Sequence, residues 1–209
     1  MLKQILLVTN KMKNKQIIAH HYHHGDLLKT IVAVLEKQKK SLDTLSLDDL
    51  AAIDEFHIGG QKASQHFFAQ LSLNEQYQVL DIGCGLGGAA RFVAQTYGAE
   101  VTGIDLTQEY IETGNVLSQW LKLTNKVKLY QGSALTMPFA NNNFSCAYIL
   151  MILQNVCFRT FEKFMIKAQL FINGCSLKNR CNDEHGFLRS PRRASLKGLY
   201  AALLILTRE

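Results

Sequence analysis

Four glycines occupy six consecutive positions in "VLDIGCGLGGAARFV", residues 79–93, between an apolar run and a stretch with helical spacing. Glycine is costly inside a helix or strand and reaches backbone conformations closed to other residues, so the chain turns here. A strand, a tight glycine turn and a helix from about Leu86 to Tyr97 open a βαβ unit. Downstream, "EVTGID", a helix from about Thr107 to Leu123, "KVKLYQ" and "FSCAYILMI" continue the alternation, with a loop "GSALTMPFANNN" before the last strand. Such alternation predicts an α/β fold, a doubly wound parallel sheet with helices on its faces and right-handed crossovers. Two helices precede it. Leu27, Leu28, Ile31, Val32 and Leu35 recur at helical spacing, and "FHIGGQKASQHFFAQLSL" gives a second helix beginning near Gly60.

The helix after "EVTGID" has Thr107 as its expected N-cap and Glu109 in its first turn, where an acid suits the dipole. Tyr110, Gly114, Leu117 and Trp120 or Leu121 form its inner stripe, which makes Trp120 a core residue. At 209 residues and 47% apolar, the chain is long enough to bury a core of its own. Its five cysteines, at 84, 146, 157, 175 and 181, are odd in number and form no CxxC pair, a usage that fits a reducing cytoplasm and supplies no zinc framework. "MLKQILLVTN" holds a four-residue apolar run, too short for a secretion signal, and nothing reaches the roughly 18 apolar residues of a membrane span. The net charge of +6 lies wholly in the tail: 13 basic and 13 acidic residues fall before residue 153, 10 and 4 after it. A basic tail without a basic domain argues against nucleic acid as a partner.

Gly83, Gly85 and Gly88 satisfy GxGxxG, the dinucleotide fingerprint, and Asp105, about 20 residues on, is placed for ribose hydroxyls. Asp81 discriminates between ligands. A carboxylate two positions before the first glycine would meet a pyrophosphate with like charge and an uncompensated desolvation cost. A ligand carrying an ammonium and a sulfonium would be favoured by it, and S-adenosylmethionine is such a ligand. Its methionine carboxylate suits the glycine-loop amides and the following helix N-terminus, its ammonium Asp81, its ribose Asp105. Leu106 covers the adenine face, and Ser133 and Ala134, after the third strand, meet the adenine edge. The expected cofactor-binding set is therefore Asp81, Gly83, Cys84, Gly85, Gly87, Asp105, Leu106, Ser133 and Ala134. The bland alternative is a glycine turn that only packs helix on strand.

"VLDIGCGLGG", "VTGIDLTQEYI" and "GSALTMPF" at these intervals resemble the successive motifs of class I S-adenosylmethionine-dependent methyltransferases. "DDLAAIDEFHIGGQKAS" ahead of them is similar to small-molecule methyltransferases of the sarcosine/dimethylglycine N-methyltransferase type. The likeness covers about residues 20–152. It implies a Rossmann-like seven-stranded sheet, a cofactor site at the carboxyl ends of strands one and two, and a substrate pocket under N-terminal helices. Two positions depart from it: Ser133 stands where many members carry an acid toward the adenine amine, and Ser145 where strand four often has Asp.

The expected division is a helical, substrate-side segment over 1–75, a cofactor-binding core over 76–152, and an atypical tail over 153–209. From Leu153 onward no βαβ alternation resumes and three of the five cysteines arrive, which suggests an out-of-frame or otherwise foreign continuation. "AYILMIL" would then be an exposed apolar edge unless a tail segment such as "LYAALLIL" pairs with it.

Methyl transfer is an in-line displacement at an already activated carbon, so such an enzyme mainly positions its reactants and excludes water. A general base is needed only for a protonated nucleophile, and His57 is the candidate to face substrate, with a plain helix-entry residue as the alternative reading. In "HHYHH", His20 and His24 have i, i+4 spacing, but Gly25 and the lack of a carboxylate ligand set favour a solvated or pocket-capping segment over a metal site. Cys84 has no evident base partner and reads as a small spacer in the loop rather than a nucleophile. The leading expectation is methyl transfer to a small-molecule acceptor, N-methylation favoured; an inactive cofactor-binding module and a nucleotide-dependent oxidoreductase remain as alternatives.

Overall fold

The computed structural model describes residues 25–54, 60–141, 143–150, 175–177 and 204–208. Helices α1 (Leu27–Lys37), α2 (Leu47–Asp54) and α3 (Gly60–Phe68) precede the sheet. Strands β1 (Gln78–Ile82), β2 (Glu100–Asp105) and β3 (Val127–Gln131) are separated by α4 (Gly88–Tyr97) and α5 (Gln108–Trp120), and β4 (Cys146–Ile149) follows a loop. Two further strands, β5 (Cys175–Leu177) and β6 (Leu204–Arg208), complete a sheet of order β3-β2-β1-β4-β6-β5.

The first four neighbours are all parallel, with Asp81 beside Gly103 on one side and Tyr148 on the other. Parallel strands are covered on both faces, and every residue of "VLDI" and "CAYI" is buried. Val79, Cys146 and Tyr148 lie in a core cluster with Phe67 and Phe68 of α3 and Phe92 and Val93 of α4. Leu80, Ile82, Ala147 and Ile149 lie in a second cluster with Met137 and Phe144 of the loop before β4. The helical faces of Ile31, Leu35, Leu50 and Leu117 meet Leu86 in a third, with Tyr110, Trp120 and Leu121 packed against it as the stripe required. Trp120 is a core-side residue, as expected.

One expectation is corrected: three α-helices, not two, precede the sheet among the described residues. Helix α2 was not legible as a separate element, although Ser46 and Asp49 form a reciprocal cap at its start: the Ser46 amide and hydroxyl donate to Asp49 Oδ2 at 2.9 and 2.7 Å, and the Asp49 amide donates back at 3.4 Å. Over Cys146–Ile149 the alternative to an exposed apolar edge is the one that holds. β6 runs antiparallel to β4, Ala147 opposite Leu206 and Tyr148 opposite Ile205, so the end of "LYAALLIL" supplies the partner strand. β5 then pairs antiparallel with β6 on its other side. His20, His24 and His57 lie outside the described residues.

Candidate functional site

The carboxyl ends of β1 and β2 are where an open α/β sheet places its ligands, and every described residue of the expected set except Ser133 and Ala134 gathers there. β1 ends at Ile82 and the loop turns back through three positive-φ glycines, Gly83 (73°), Gly85 (54°) and Gly87 (81°), the last being the N-cap of α4. No side-chain-bearing residue adopts that succession without strain. The amides of Gly83 and Cys84 both donate to the Ile104 carbonyl, at 2.7 and 3.2 Å, and that of Gly87 to Cys84 at 2.8 Å. The Gly85 amide donates to Asp105 Oδ2 at 3.1 Å, while Asp105 Oδ1 accepts from the Thr107 amide at 2.8 Å. Thr107 is the N-cap residue, but it is held through this amide, since its side chain makes no capping bond.

Four loop amides therefore have acceptors within the protein. What the loop leaves open is space beside Gly85, where an added Cβ would meet nothing within 4 Å, next to the Asp105 carboxylate bonded to the Gly85 amide. The opposite flank of the loop is filled: Cβ atoms built at Gly87 and Gly88 would come within 2.7 Å of Leu129 and 2.8 Å of Asp54 Oδ1.

Asp81 is 2% exposed and accepts a hydrogen bond from the Tyr148 hydroxyl at 2.9 Å. Burial, followed by the charge of Asp81, pushes the Tyr148 hydroxyl well above the usual phenol range, so it stays a donor. Burial likewise pushes the Cys84 thiol up, with the charges of Asp81 and Asp105 adding to it. A thiol so held is no nucleophile at neutral pH, which accords with its reading as a small residue in the loop. Leu106 is half-buried, and its carbonyl accepts from Gln131 Nε2 at 3.1 Å. Ser133 and Ala134 follow β3 in a short turn, in which Ser133 Oγ accepts from the Leu135 amide at 3.2 Å. Ser145 sits at the other end of the sheet, where its amide donates to the Gln78 carbonyl at 2.8 Å. Its departure from Asp thus leaves the glycine loop untouched.

Sequence reasoning missed the group beneath the loop. Arg91, on α4, is fully buried; its Nη2 meets Asp54 Oδ2 at 2.5 Å, and its Nη1 donates to the Gly114 carbonyl at 2.9 Å and to Ser118 Oγ at 3.1 Å. One guanidinium thus ties α2 and α5 to the helix that starts at the loop. An arginine amid "GAARFVA", otherwise apolar or small, was the available signal. A depression of about 440 Å³ lined by Leu73, Asn74 and Tyr97 lies at the amino end of the strands, away from all of these groups. Among the described residues, no three His, Cys, Asp or Glu side chains are grouped to hold a metal, and no helix is long and apolar enough to cross a membrane.

Comparison with known proteins agrees with this geometry. Residues 79–168 match the family described as the methyltransferase domain. Over 90 residues the chain is 34% identical to a phosphoethanolamine N-methyltransferase of Plasmodium falciparum, covering 43% of this chain and 33% of that protein. Over 87 residues it is 32% identical to a sterol 24-C-methyltransferase of Gibberella zeae, covering 41% of this chain and 23% of that one. The chain thus spans a third or less of the length of these two relatives. Among solved structures, the geranyl diphosphate C-methyltransferase of Streptomyces coelicolor A3(2) superposes with a TM-score of 0.51 at 17% identity, over 55% of this chain and 41% of that one. The cyclase SpnF gives a TM-score of 0.51 at 19% identity, over 56% and 42%. These two likenesses establish the fold, and the second shows that the fold alone does not fix the reaction. The parallel order β3-β2-β1-β4, the glycine loop after β1 and the acid after β2 thus accompany a match to the methyltransferase-domain family over residues 79–168.

Proposed function

We propose that this chain binds S-adenosylmethionine across the carboxyl ends of β1 and β2 and directs its methyl group to a small-molecule acceptor, an amine first. The observation that carries this reading is a pair of carboxylates on the two strands that the glycine loop joins: Asp81, buried in β1 two positions before Gly83, and Asp105, which ends β2 and accepts from the Gly85 amide beside the open space there. Asp81 faces the ammonium. Asp105, whose two oxygens are oriented by the Gly85 and Thr107 amides, accepts from the ribose hydroxyls. Leu106, held by Gln131, lies along the adenine, with Ser133 and Ala134 at its edge. The methionine carboxylate falls to the first turn of α4, where the pairing of Asp54 with Arg91 removes a competing negative charge.

When bound, S-adenosylmethionine supplies a methyl carbon activated by its sulfonium. The task left to the residues of this chain is to fix that carbon, align the acceptor and keep water out. The preference for nitrogen rests on the likeness of "DDLAAIDEFHIGGQKAS" to N-methyltransferases and on the relative that methylates phosphoethanolamine. Incubation with methyl-tritiated S-adenosylmethionine and a panel of amines, sterols and phenols tests the reading. Label in an amine product is the expected result. Label only in a sterol or phenol would overturn the choice of nitrogen, and S-adenosylhomocysteine binding with no label in any acceptor would favour a cofactor-binding module without turnover.

The division into a substrate-side segment (1–75), a cofactor core (76–152) and a foreign continuation (153–209) is proposed on the same footing, as is a cytoplasmic location. The family match running to residue 168 and the pairing of β6 with β4 are what a native tail would give. The charge shift and lost alternation are what a frame change would give. Translating the DNA beyond codon 152 in the other two frames decides: neither frame resuming a strand-helix-strand pattern would refute the frame change.

A further inference from the structure

The β1–β4 register sets Asp81 directly beside Tyr148, which puts both side chains on the same face of the sheet. Tyr148 is 1% exposed, and its ring is fixed edge-on against Phe68 and Phe67, with centroids 4.8 and 6.5 Å away. A phenol so clamped has little freedom to turn from its acceptor. A carboxylate as deeply buried as Asp81 is ionised only if donors compensate its lost hydration. Among the described residues, the titratable groups that interact electrostatically with Asp81 include Tyr148 on β4 and Cys84 in the loop. Both stay protonated, and the Tyr148 hydroxyl is a neutral donor aimed at Asp81 Oδ2.

We infer that Tyr148 is a positioning residue for cofactor recognition: its hydroxyl holds Asp81 ionised and oriented so that the carboxylate receives the ligand's ammonium. This rests on the cofactor reading above and adds to it a residue no motif marks. The consequence is a pH dependence. Losing the hydroxyl removes a hydrogen bond to the charged form, so Asp81 takes up a proton more readily and attraction for an ammonium fades as the pH falls.

The test is the affinity of the full chain and Tyr148→Phe for S-adenosylhomocysteine, by calorimetry from pH 5.5 to 8, beside 5′-methylthioadenosine, which lacks the amino-acid end. The native affinity is expected to be nearly level over this range. In Y148F, S-adenosylhomocysteine should bind on the order of tenfold more weakly at pH 5.5 than at 8, while methylthioadenosine is unaffected. On an Asp81→Asn background, Y148F should change neither ligand further. A level profile in Y148F, or equal weakening of both ligands, would overturn the inference and leave the cofactor reading intact. Native chain that binds neither ligand would overturn both. Should Y148F fail to melt cooperatively, the native chain labelled with 3-fluorotyrosine reads the same contact: S-adenosylhomocysteine, but not methylthioadenosine, should shift one buried fluorine resonance, and its failure to do so would refute the role.

Discussion

Breaking the Asp54–Arg91 pair should do more damage than removing both of its members. The two side chains are 3% and 0% exposed, so neither charge has water to fall back on. Asp54→Ala leaves a buried guanidinium that retains only the Gly114 carbonyl and Ser118 hydroxyl, and its Nε already has no partner among the described residues. Removing one member of a buried pair typically costs about 3–5 kcal/mol. Against a typical domain stability of about 5–15 kcal/mol, that is a large share. Arg91→Met takes the guanidinium away from the buried Asp54 carboxylate and should fall in the same range. Asp54→Leu with Arg91→Met removes both charges and replaces them with apolar volume, so it should cost well under the sum of the singles, chiefly the two hydrogen bonds to α5, at about 1 kcal/mol each. Urea unfolding of the native chain, both singles and the double gives the cycle. Singles that each cost under about 1 kcal/mol, or a double equal to their sum, would show that the guanidinium does not hold the three helices together.

Gly114→Ala should loosen the glycine loop from α5, because the new methyl would collide with the Leu86 carbonyl oxygen and stand 2.6 Å from Leu129; a destabilisation of about 1–3 kcal/mol in urea is expected. Hydrogen bonds from Lys40 and Ser46 pull the Asp49 carboxyl down to about 2, so its contribution is complete above the ordinary value of 3.8 and is lost as the pH falls through about 2. Melting temperatures between pH 5 and 2 should therefore fall less steeply in Asp49→Asn than in the native chain. Leu206→Pro removes a backbone donor from a strand flanked by β4 and β5. It should lower the melting temperature and raise light scattering as the apolar β4 edge opens, and an unchanged melt would mean that β6 does not complete the sheet.

The alternation of β1, α4, β2, α5 and β3 was legible because each element's burial pattern is local: four buried residues in sequence for β1, an apolar stripe at helical spacing for α5. The glycine loop was legible for a related reason, since positive-φ turns demand glycine whatever packs on them. Contacts between distant segments were not. Asp54 and Arg91 are 37 residues apart and Asp81 and Tyr148 are 67 apart, and nothing in either local pattern points to the other. The β4–β6 pairing has the same character: the apolar end of the chain could be named as a candidate partner, but its register and direction come only from the fold. Asp81 shows the division within one residue. Its place before the glycines spoke for an ammonium ligand, while the phenol beside it appears only once β4 is set against β1.

The most direct test of the cofactor site is calorimetric titration of S-adenosylhomocysteine and, separately, NAD into the native chain and Asp105→Ala. Saturable binding of S-adenosylhomocysteine with none of NAD is expected. Asp105→Ala should weaken it by about 1–3 kcal/mol, for ribose hydroxyls left without their acceptor. An Asp105→Ala dissociation constant equal to the native one would contradict the placement of the ribose, and NAD binding in place of S-adenosylhomocysteine would contradict the cofactor itself.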